Sequence, residues 1–366
     1  MSISILGIGT VSTSGSGIAS LREGLSGTRA PLLERHPIET SRGEISLPVM
    51  RARVENLDRF IPSRASRRMD NFTKMALLSS CLALEDAGLV LEDKTRVGIV
   101  FGTGYGPLQT TFGFLDSILD SGDKCASPTL FATSVHNSPA SQISIHLKIQ
   151  GPCQTISCFH RTTANVFLTA QGWLEQEAAD FVLVGVGDEY CAVRGYAVAG
   201  LGGAGTEGIR PFSFEECSYV PGEGCVCMLL GRDSSQETKY CRLDKIIVRS
   251  DMGKEDHLLF DSLDALFIGA NGDRDMGLHY QALLPPGKKI AAYSPLYGGM
   301  PVGAGFDLAV ACLSLHDKKL YPTPVSDEVW NRDLIAVEEP IPDADFHIGC
   351  LECGPEGIFD LFVLSR

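Results

Sequence analysis

The sequence has few basic residues for its length: 31 Lys and Arg stand against 45 Asp and Glu in 366 residues, a formal net charge of −14. This balance argues against general binding to nucleic acid or to anionic membranes, because both need a basic surface. The sequence also contains no apolar run close to the roughly 20 residues of a membrane-spanning helix. We therefore expect a soluble protein with no nucleic-acid partner and no membrane span.

A secretory signal and a disulfide framework are also missing. Met1 leads directly into a strand-like apolar run at residues 3–8, which is not the pattern of a signal peptide. The twelve cysteines are not spaced as in small disulfide-rich domains. Because free thiols are typical of reducing compartments, these features predict a cytoplasmic protein.

Common catalytic and cofactor motifs are absent as well, including Walker A, H-E-x-x-H and G-x-S-x-G. The glycine-rich run at 102–106 follows an apolar run, but its spacing differs from that of a dinucleotide fingerprint and favours tight turns. The C-x-x-C at 350–353 has no second pair, and the C-x-C at 225–227 lies in a strand-like run. Buried free thiols are therefore expected there, and we predict neither a metal nor a cofactor.

What the sequence does contain is a regular alternation of short apolar runs and helical patterns. Apolar residues between Phe72 and Ala83 recur at helical spacing, and Gly88 supplies a stop signal. Strand-like runs follow at 96–101, 181–186, 225–230, 246–248, 265–268, 289–292 and 359–364. Such alternation is typical of an α/β protein with largely parallel sheets. The polar run at 234–238 predicts two halves, 1–235 and 236–366.

Several segments, taken in order, resemble the β-ketoacyl synthase family. They are Arg68 and Asp70 before a helix ending at 83–89, the strand and glycine-rich loop at 97–106, the segment from Ser127 to Pro152, residues 185–189, residues 210–212 with 222–224, the run GGMPVGAG at 298–305, and Pro322-Thr323. Each segment is weak alone. Their order and spacing over nearly the whole chain make the resemblance specific.

The resemblance implies a thiolase-like fold, with two pseudo-symmetric halves in five layers (αβαβα). It also implies a mechanism in which a cysteine at a helix N-terminus takes the acyl chain as a thioester. Two histidines then stabilise the charge that develops when a malonyl unit decarboxylates, and a lysine organises the site. The expected activity therefore depends on which residues occupy these four positions.

The resemblance allows the nucleophile position to be counted from both sides. Nine residues after Gly151, and equally by counting back from the strand that ends at Asp188, that position is His160. Cys158 lies two residues earlier and would be the nucleophile only with a two-residue insertion. A histidine here could also serve merely as a local helix cap. Because acyl imidazoles hydrolyse readily, His160 predicts the loss of a stable acyl-enzyme.

The other three family positions are also substituted. The first histidine is replaced by Asn271, the second by Met300, and the lysine by Pro295. Met300 has no proton to donate, and Pro295 has neither a charge nor a backbone N–H. The gating loop that the family carries near its C-terminus is replaced by the sequence at 350–354. Together these changes predict a retired active site with no catalytic residue for condensation.

Phe112, Phe114 and Phe131 form an aromatic group that would by default belong to the core. In the resembling family this region lies at the dimer interface near the acyl tunnel, so the resemblance implies that these residues limit chain length. Arg64, Arg67 and Arg68 form a basic cluster. It could dock an acyl carrier protein, or it could be a solvated helix start.

A ketosynthase scaffold without its catalytic set resembles the chain-length factor subunits of type II polyketide ketosynthases. The resemblance implies a non-catalytic subunit that forms a heterodimer with an active β-ketoacyl synthase through edge strands near 155–158. Acyl carrier protein would contact it directly or only through that partner. The better-known members carry glutamine where this chain has His160, and the chain is short between Asn271 and Met300. This divergence suggests a branch such as the one that makes aryl polyenes.

Two alternatives stay open from the sequence. The chain could be an active condensing or malonyl-decarboxylating enzyme that uses Cys158, with His160 or Asn271 as further candidates. It could also be a homodimeric acyl-binding protein. The starter unit, the product length and the identity of the partner are not encoded in any motif that we recognise.

Overall fold

The structure is a computed structural model that describes residues 2–40, 43–200, 204, 205, 207–232, 238–250, 257–324, 333–342 and 345–366. The seam predicted at 234–238 lies almost wholly outside the described residues. The division into 1–235 and 236–366 therefore stays a prediction. Among the described residues, no helix is long and apolar enough to cross a membrane.

The strands and helices alternate along the described chain. The strands are β1 (Ile3–Ser12), β2 (Gly15–Ser16), β3 (Leu33–Thr40), β4 (Gly43–Met50), β5 (Val97–Thr103), β6 (Cys153–Ser157), β7 (Phe181–Asp188), β8 (Gly224–Arg232), β9 (Cys241–Arg249), β10 (Ala265–Ile268), β11 (Lys289–Ala291), β12 (Lys319–Leu320), β13 (Glu339–Pro340), β14 (His347–Cys353) and β15 (Phe359–Ser365). The α-helices are α1 (Ile18–Leu25), α2 (Ser63–Ser66), α3 (Asn71–Ala87), α4 (Leu108–Ser121), α5 (Pro128–Thr133), α6 (Ser138–Leu147), α7 (Thr162–Glu175), α8 (Ala192–Gly200), α9 (His257–Asp261), α10 (Arg274–Leu283) and α11 (Ala304–Asp317). Short 3₁₀ helices span Leu57–Arg59, Lys94–Arg96, Asp123–Cys125, Ser294–Leu296 and Pro355–Gly357.

The central sheet repeats one pattern twice. Its strand order is β11-β10-β14-β15-β9-β1-β8-β7-β5-β6. The order divides into the β1 group (β1, β8, β7, β5 and β6) and the β9 group (β9, β15, β14, β10 and β11). In each group the pairings are parallel at the outer edge and antiparallel toward the middle of the sheet. A short antiparallel contact between β1 and β9 joins the two groups. This repeated order is the pseudo-symmetry that the family resemblance implies.

The expectation of largely parallel sheets is wrong, because the sheet is mixed. Parallel pairing is confined to β5 with β6 and β7, and to β10 with β11 and β14. The connection from β14 to β15 is a short turn at 354–358 that contains a 3₁₀ helix. A connection of that length has no room for a crossover helix, so the second strand runs back along the first. An apolar run in the sequence does not show whether its strand is parallel or antiparallel to its neighbours.

The helices complete five layers around the sheet. Helices α3 and α6 pack on the outer face of the group that contains β1, and α10 packs beside the group that contains β9. Helices α7 and α11 lie between the two groups and contact strands of both. Phe167 of α7 meets Phe362 of β15 edge to face, with ring centroids 5.8 Å apart. The two central helices therefore bury both halves in one shared core.

Helix α3 shows how the sequence signals are realised. The carboxylate of Asp70 accepts a hydrogen bond from the backbone N–H of Thr73 at 2.6 Å, which caps the first turn. Gly88 ends the helix in the left-handed region with φ of 64°. The predicted start and stop of this helix are therefore confirmed.

The twelve cysteines are free thiols in the structure. Cys225 and Cys227 lie fully buried in β8, where both sulfurs are within hydrogen-bonding distance of the Ser79 hydroxyl. Cys350 and Cys353 are buried in β14. The expectation of buried thiols at these two motifs is confirmed.

Strand β6 forms one edge of the sheet and pairs with β5 on one side. Helices α6 and α7 contact β6. Large apolar side chains are exposed on α4 to α7 and on the loops between them. They are Leu115, Leu119, Phe131, Val135, Ile145, Phe159 and Leu168. An open sheet edge beside a group of exposed apolar side chains is typical of a protein–protein interface.

Candidate functional site

A cavity of about 620 Å³ lies near the N-terminal ends of the two central helices. Its walls come from both halves of the chain. The lining residues are Tyr105, Phe159, His160, Val198, Tyr219, Gly269, Asn271, Asp273, Asp275, Met276, Tyr280, Met300, Pro301, Gly303, Ala304, Glu352 and Cys353. The cavity therefore brings together three of the positions predicted from the sequence, His160, Asn271 and Met300.

His160 lies on the turn between β6 and α7. The N–H of Cys158 still donates to the Thr103 carbonyl at 3.3 Å, and the next residues turn sharply. Arg161 adopts the left-handed region with φ of 63°, and α7 begins at Thr162. Partial burial lowers the pKa of His160, so its imidazole is neutral near pH 7.

Cys158 does not line the cavity. Its carbonyl accepts a hydrogen bond from the Thr162 hydroxyl, and its sulfur lies 3.4 Å from the same hydroxyl. The side-chain amide of Asn165 lies 3.7 Å from the sulfur. These contacts hold the thiol against the first turn of α7 and away from the cavity walls.

The opposite wall carries Asn271 and Met300, whereas Pro295 lies outside the cavity. The side-chain oxygen of Asn271 accepts the backbone N–H of Asp273 at 3.1 Å, so this residue closes a local turn before α10. Met300 is 5% exposed and presents an apolar side chain. Pro295 belongs to the 3₁₀ helix Ser294–Leu296.

A fully buried cation supports one wall. The guanidinium of Arg194 donates to the carbonyls of Gly222 and Gly299 at 2.7 Å each, and it lies 4.6 Å from the centroid of the Tyr105 ring. Its contacts join α8 to the loop that leads to Met300. Sequence reasoning missed this residue, because an arginine between two apolar stretches reads as a surface residue.

The glycine-rich run at 102–106 serves as a turn packed against this wall. A Cβ on Gly104 would lie 2.5 Å from Pro301, and Gly106 has φ of 68°. The buried carboxyl of Asp188 accepts hydrogen bonds from the Thr103 hydroxyl at 2.7 Å and from the Tyr105 N–H at 2.8 Å. The turn places the Tyr105 ring in the cavity wall, as expected for glycines in a tight turn.

Two buried acids beside His160 were missed in the sequence. Glu352 and Asp360 face each other across β14 and β15. Burial, reinforced by the neighbouring acid, raises the pKa of Glu352 well above its usual range. Burial also raises the pKa of Asp360 to about 7, against the opposing effect of Arg161, whose Nε lies 3.3 Å from the carboxylate. A charged residue within an apolar strand-like run was the available signal in both cases.

Phe112, Phe114 and Phe131 lie away from this cavity, on α4 and α5. Phe112 and Phe114 are half-buried, and Phe131 is 61% exposed. The rings of Phe114 and Phe131 contact each other with centroids 5.4 Å apart. The default interpretation of this group as core is wrong for the isolated chain, since none of the three side chains is buried.

Within the described ranges, no three His, Cys, Asp or Glu side chains group as metal ligands would. Cys353 is the thiol that does line the cavity. Burial and the neighbouring Glu352 and Asp360 carboxyls raise the pKa of Cys353 well above its usual range, so it stays a protonated, weakly nucleophilic thiol.

Comparison with solved structures shows the same fold over the whole chain. "The ishigamide ketosynthase/chain length factor" has a TM-score of 0.78 at 16% identity, covering 100% of this chain and 99% of that one. A β-ketoacyl synthase from Burkholderia phymatum STM815 has a TM-score of 0.76 at 15% identity, with the same coverage. "AntDE:AntF (apo): type II PKS acyl-carrier protein in complex with its ketosynthase bound to the hexaketide" has a TM-score of 0.75 at 15% identity, again with that coverage. The thiolase-like fold is confirmed.

Sequence comparison gives the family. The chain is 26% identical over 184 residues to 3-oxoacyl-[acyl-carrier-protein] synthase 2 of Staphylococcus aureus (strain N315), which covers 48% of this chain and 44% of that protein. It is 26% identical over 190 residues to the chloroplastic 3-oxoacyl-[acyl-carrier-protein] synthase I of Hordeum vulgare, covering 47% of this chain and 40% of that protein. The matches span less than half the length of these relatives. The family model "Beta-ketoacyl synthase, N-terminal domain" matches residues 3–236, more than half of the chain. Because this match covers more than half of the sequence, the chain belongs to the β-ketoacyl synthase family.

Proposed function

We propose that the chain is a chain-length factor, a ketosynthase-like subunit that does not catalyse condensation and that pairs with an active β-ketoacyl synthase. The observation that carries the proposal is the composition of the central cavity. His160, Asn271 and Met300, which counting along the sequence assigns to the family's nucleophile and histidine positions, line this cavity. The chain keeps the fold of the family, which supports a loss that is confined to these side chains.

The chemistry of these side chains argues against decarboxylative condensation. Met300 offers no hydrogen-bond donor to a developing enolate. The side-chain oxygen of Asn271 already accepts a hydrogen bond in the turn before α10, so this residue could supply one amide donor at most. Losing one such donor typically lowers the rate on the order of a hundredfold or more. Asp273 and Asp275 also line the cavity, and their charges oppose the entry of a malonyl carboxylate.

The pairing with a ketosynthase is supported by the edge of the sheet. Strand β6 has a free side, and the exposed apolar side chains around it need a cover. An obligate interface that pairs two such edges would bury roughly 2,000 Å² or more. Within such an interface, the Phe114–Phe131 pair of α4 and α5 would bound the acyl tunnel and limit product length.

The names of the structural neighbours favour the same assignment. One is a ketosynthase/chain length factor, and another contains an acyl-carrier protein in complex with its ketosynthase. For this chain the exposed Arg64, Arg67 and Arg68 are the candidate docking cluster for a carrier protein. Aryl polyene or polyketide synthesis is the proposed context.

Acylation tests the loss of catalysis. The chain alone is incubated with acyl-carrier protein and malonyl-carrier protein, and intact mass and released carbon dioxide are measured. We expect no stable acyl-enzyme and no carbon dioxide above background. Stoichiometric acylation at Cys158 would instead make the chain an active condensing enzyme.

Co-expression with a candidate ketosynthase, ideally one encoded by a neighbouring gene, tests the pairing. We expect a stable 1:1 complex that Phe131→Asp weakens and that Val90→Asp leaves unchanged. Val90 is a suitable control because it is an exposed apolar residue, 86% accessible, that follows α3. Phe114→Ala should lengthen the product. A homodimer with no affinity for any ketosynthase would indicate an acyl-binding protein.

A further inference from the structure

A second, much smaller cavity adjoins the central one beside His160. It has a volume of about 10 Å³ and is lined by His160, Arg161, Glu352, Cys353, Gly354, Ile358, Phe359 and Asp360. His160, Glu352 and Cys353 line both cavities. A volume of this size is close to the minimum that holds one water molecule.

Three buried polar atoms around the small cavity make no hydrogen bond, although two of them form an ion pair with each other. They are Glu352 Oε2, Asp360 Oδ1 and Arg161 Nε. The Asp360 side chain is only 2% exposed, and its one charged contact is the 3.3 Å ion pair with Arg161. An unmet buried polar atom costs about 1–3 kcal/mol. One water in this cavity would satisfy two or three of these atoms at once.

The acids and the histidine beside this water take complementary roles. Arg161 compensates the charge of Asp360, whereas Glu352 faces Asp360 across the strands and lies near Asp307 of α11. Burial and these neighbouring acids raise the pKa of Glu352 well above its usual range, which favours the protonated carboxyl, whose hydroxyl can donate a hydrogen bond. His160 is neutral and can accept a proton. A base and a hydrogen-bond donor therefore border the same volume.

The central cavity suits a neutral acyl thioester. Phe159, Met276 and Met300 provide apolar walls, while no lysine or arginine is among the residues that line it. Its volume of about 620 Å³ lies in the range of small-molecule pockets. Asp273 and Asp275 would repel a substrate with a free carboxylate, whereas an uncharged acyl group would not be repelled.

We propose that His160 and Glu352 hydrolyse acyl thioesters in the central cavity, with the water of the small cavity as the nucleophile. The inference takes its substrate class, an acyl thioester, from the proposed function. It goes beyond that function by giving the substituted site an activity of its own, the release of a stalled or short chain.

The reaction needs no further reactant. The water oxygen adds to the thioester carbonyl while His160 takes one water proton. Glu352 donates a hydrogen bond to the carbonyl oxygen as negative charge builds on it. The C–S bond then breaks, and the imidazolium returns the proton to the leaving sulfur. The products are a carboxylic acid and a thiol, with no change in oxidation state.

The test uses the full chain, alone and in complex with a ketosynthase whose cysteine is replaced by alanine. The probe is the octanoyl thioester of N-acetylcysteamine, and thiol release and octanoate are measured together. We expect turnover above the buffer rate, and His160→Gln to lower it about a hundredfold or more. Glu352→Met should cost a similar factor, whereas Glu352→Gln should keep most of the rate because an amide also donates.

Two control variants and a pH profile show whether these two side chains carry the reaction. His279→Gln and Cys158→Ala should leave the rate unchanged, because neither residue lines the central or the small cavity. The rate should rise with pH as His160 loses its proton. No turnover by the wild-type chain, or turnover that depends on Cys158, would overturn the inference. If the chain hydrolyses the thioester but forms no complex with any ketosynthase, the inference stands and the chain-length proposal is wrong.

Discussion

Arg194 shows how one side chain positions the cavity wall. It is fully buried and donates to the carbonyls of Glu189, Gly222 and Gly299 and to the Tyr219 hydroxyl. Two of these bonds measure 2.7 Å, so the planar guanidinium matches its partners closely. Its positive charge is therefore solvated by protein dipoles in place of water.

We predict that Arg194→Lys destabilises the chain by about 3 kcal/mol. A single ammonium cannot reach carbonyls on three segments and would leave some of them unpaired. Arg64→Lys, at an exposed position, should change the stability by less than about 0.5 kcal/mol. Denaturant unfolding of both variants measures the difference. Equal stability of the two variants would mean that the buried hydrogen bonds contribute little.

The residues of the site were predictable only in part. His160, Asn271 and Met300 follow from counting along family motifs, and the structure places all three around one cavity. Glu352 and Asp360 do not, because their proximity arises from the register of β14 and β15 and no motif records it. Their roles in catalysis or its loss stay proposals.

At the scale of elements, apolar runs located most of the sheet. The run predicted at 265–268 coincides with β10, and 181–186 falls within β7. The directions of the strands were not predictable, since a run of apolar residues reads the same both ways. The hairpin of β3 and β4 was also missed, because its strands contain prolines and many exposed polar residues.

Strand β6 gives an element-scale prediction about assembly. Ile99 N–H donates to the Pro152 carbonyl, and Cys158 N–H donates to the Thr103 carbonyl. In a parallel ladder the alternate N–H of Thr155 therefore points to the free side of the edge. We predict that Thr155→Pro keeps the fold, with an unchanged circular dichroism spectrum, but abolishes the ketosynthase complex in gel filtration. An intact complex would exclude backbone pairing at this edge.

Replacing Gly172 and Gly88 by alanine should change the stability of the chain in opposite directions. Gly172 lies inside α7 with open space where a Cβ would project, so Gly172→Ala should stabilise the chain by about 0.5–1 kcal/mol. Gly88 has φ of 64°, so Gly88→Ala should destabilise it by about 1 kcal/mol. Thermal unfolding of the pair provides the measurement, with each variant serving as the other's control. Shifts of the same sign would contradict the assigned backbone conformations.

At the scale of the whole molecule, buried acids govern the response to pH. Burial raises the pKa of Glu189 to about 8 and that of Asp307 to about 7, and Asp360 also has a pKa of about 7. Each group binds its proton more tightly in the folded chain than in the unfolded one. The stability they contribute is therefore complete below about pH 4 and is lost as the pH rises through 7 to 8.

Acids with lowered pKa values act in the opposite range. Hydrogen bonds and charge from Arg96 lower the pKa of Asp180, and Arg22 with Tyr321 lowers that of Asp317. Protonation of these groups removes stability as the pH falls below about 4. The two sets together predict a maximum of stability on the acidic side of neutrality.

We predict that the melting temperature is highest near pH 4–5 and falls by several degrees by pH 8. Asp307→Asn should flatten this decline, because the amide oxygen still accepts the hydrogen bond from the Tyr297 hydroxyl and carries no titrating proton. Asp275→Asn, at an exposed position on α10, should reproduce the wild-type profile. Calorimetry of the three proteins from pH 5 to pH 8 measures the slopes. A wild-type melting temperature that rises over this range would contradict the prediction. It would show that ionisation of the buried acids does not lower the free energy of unfolding, as expected if water reaches the central layer between the two halves.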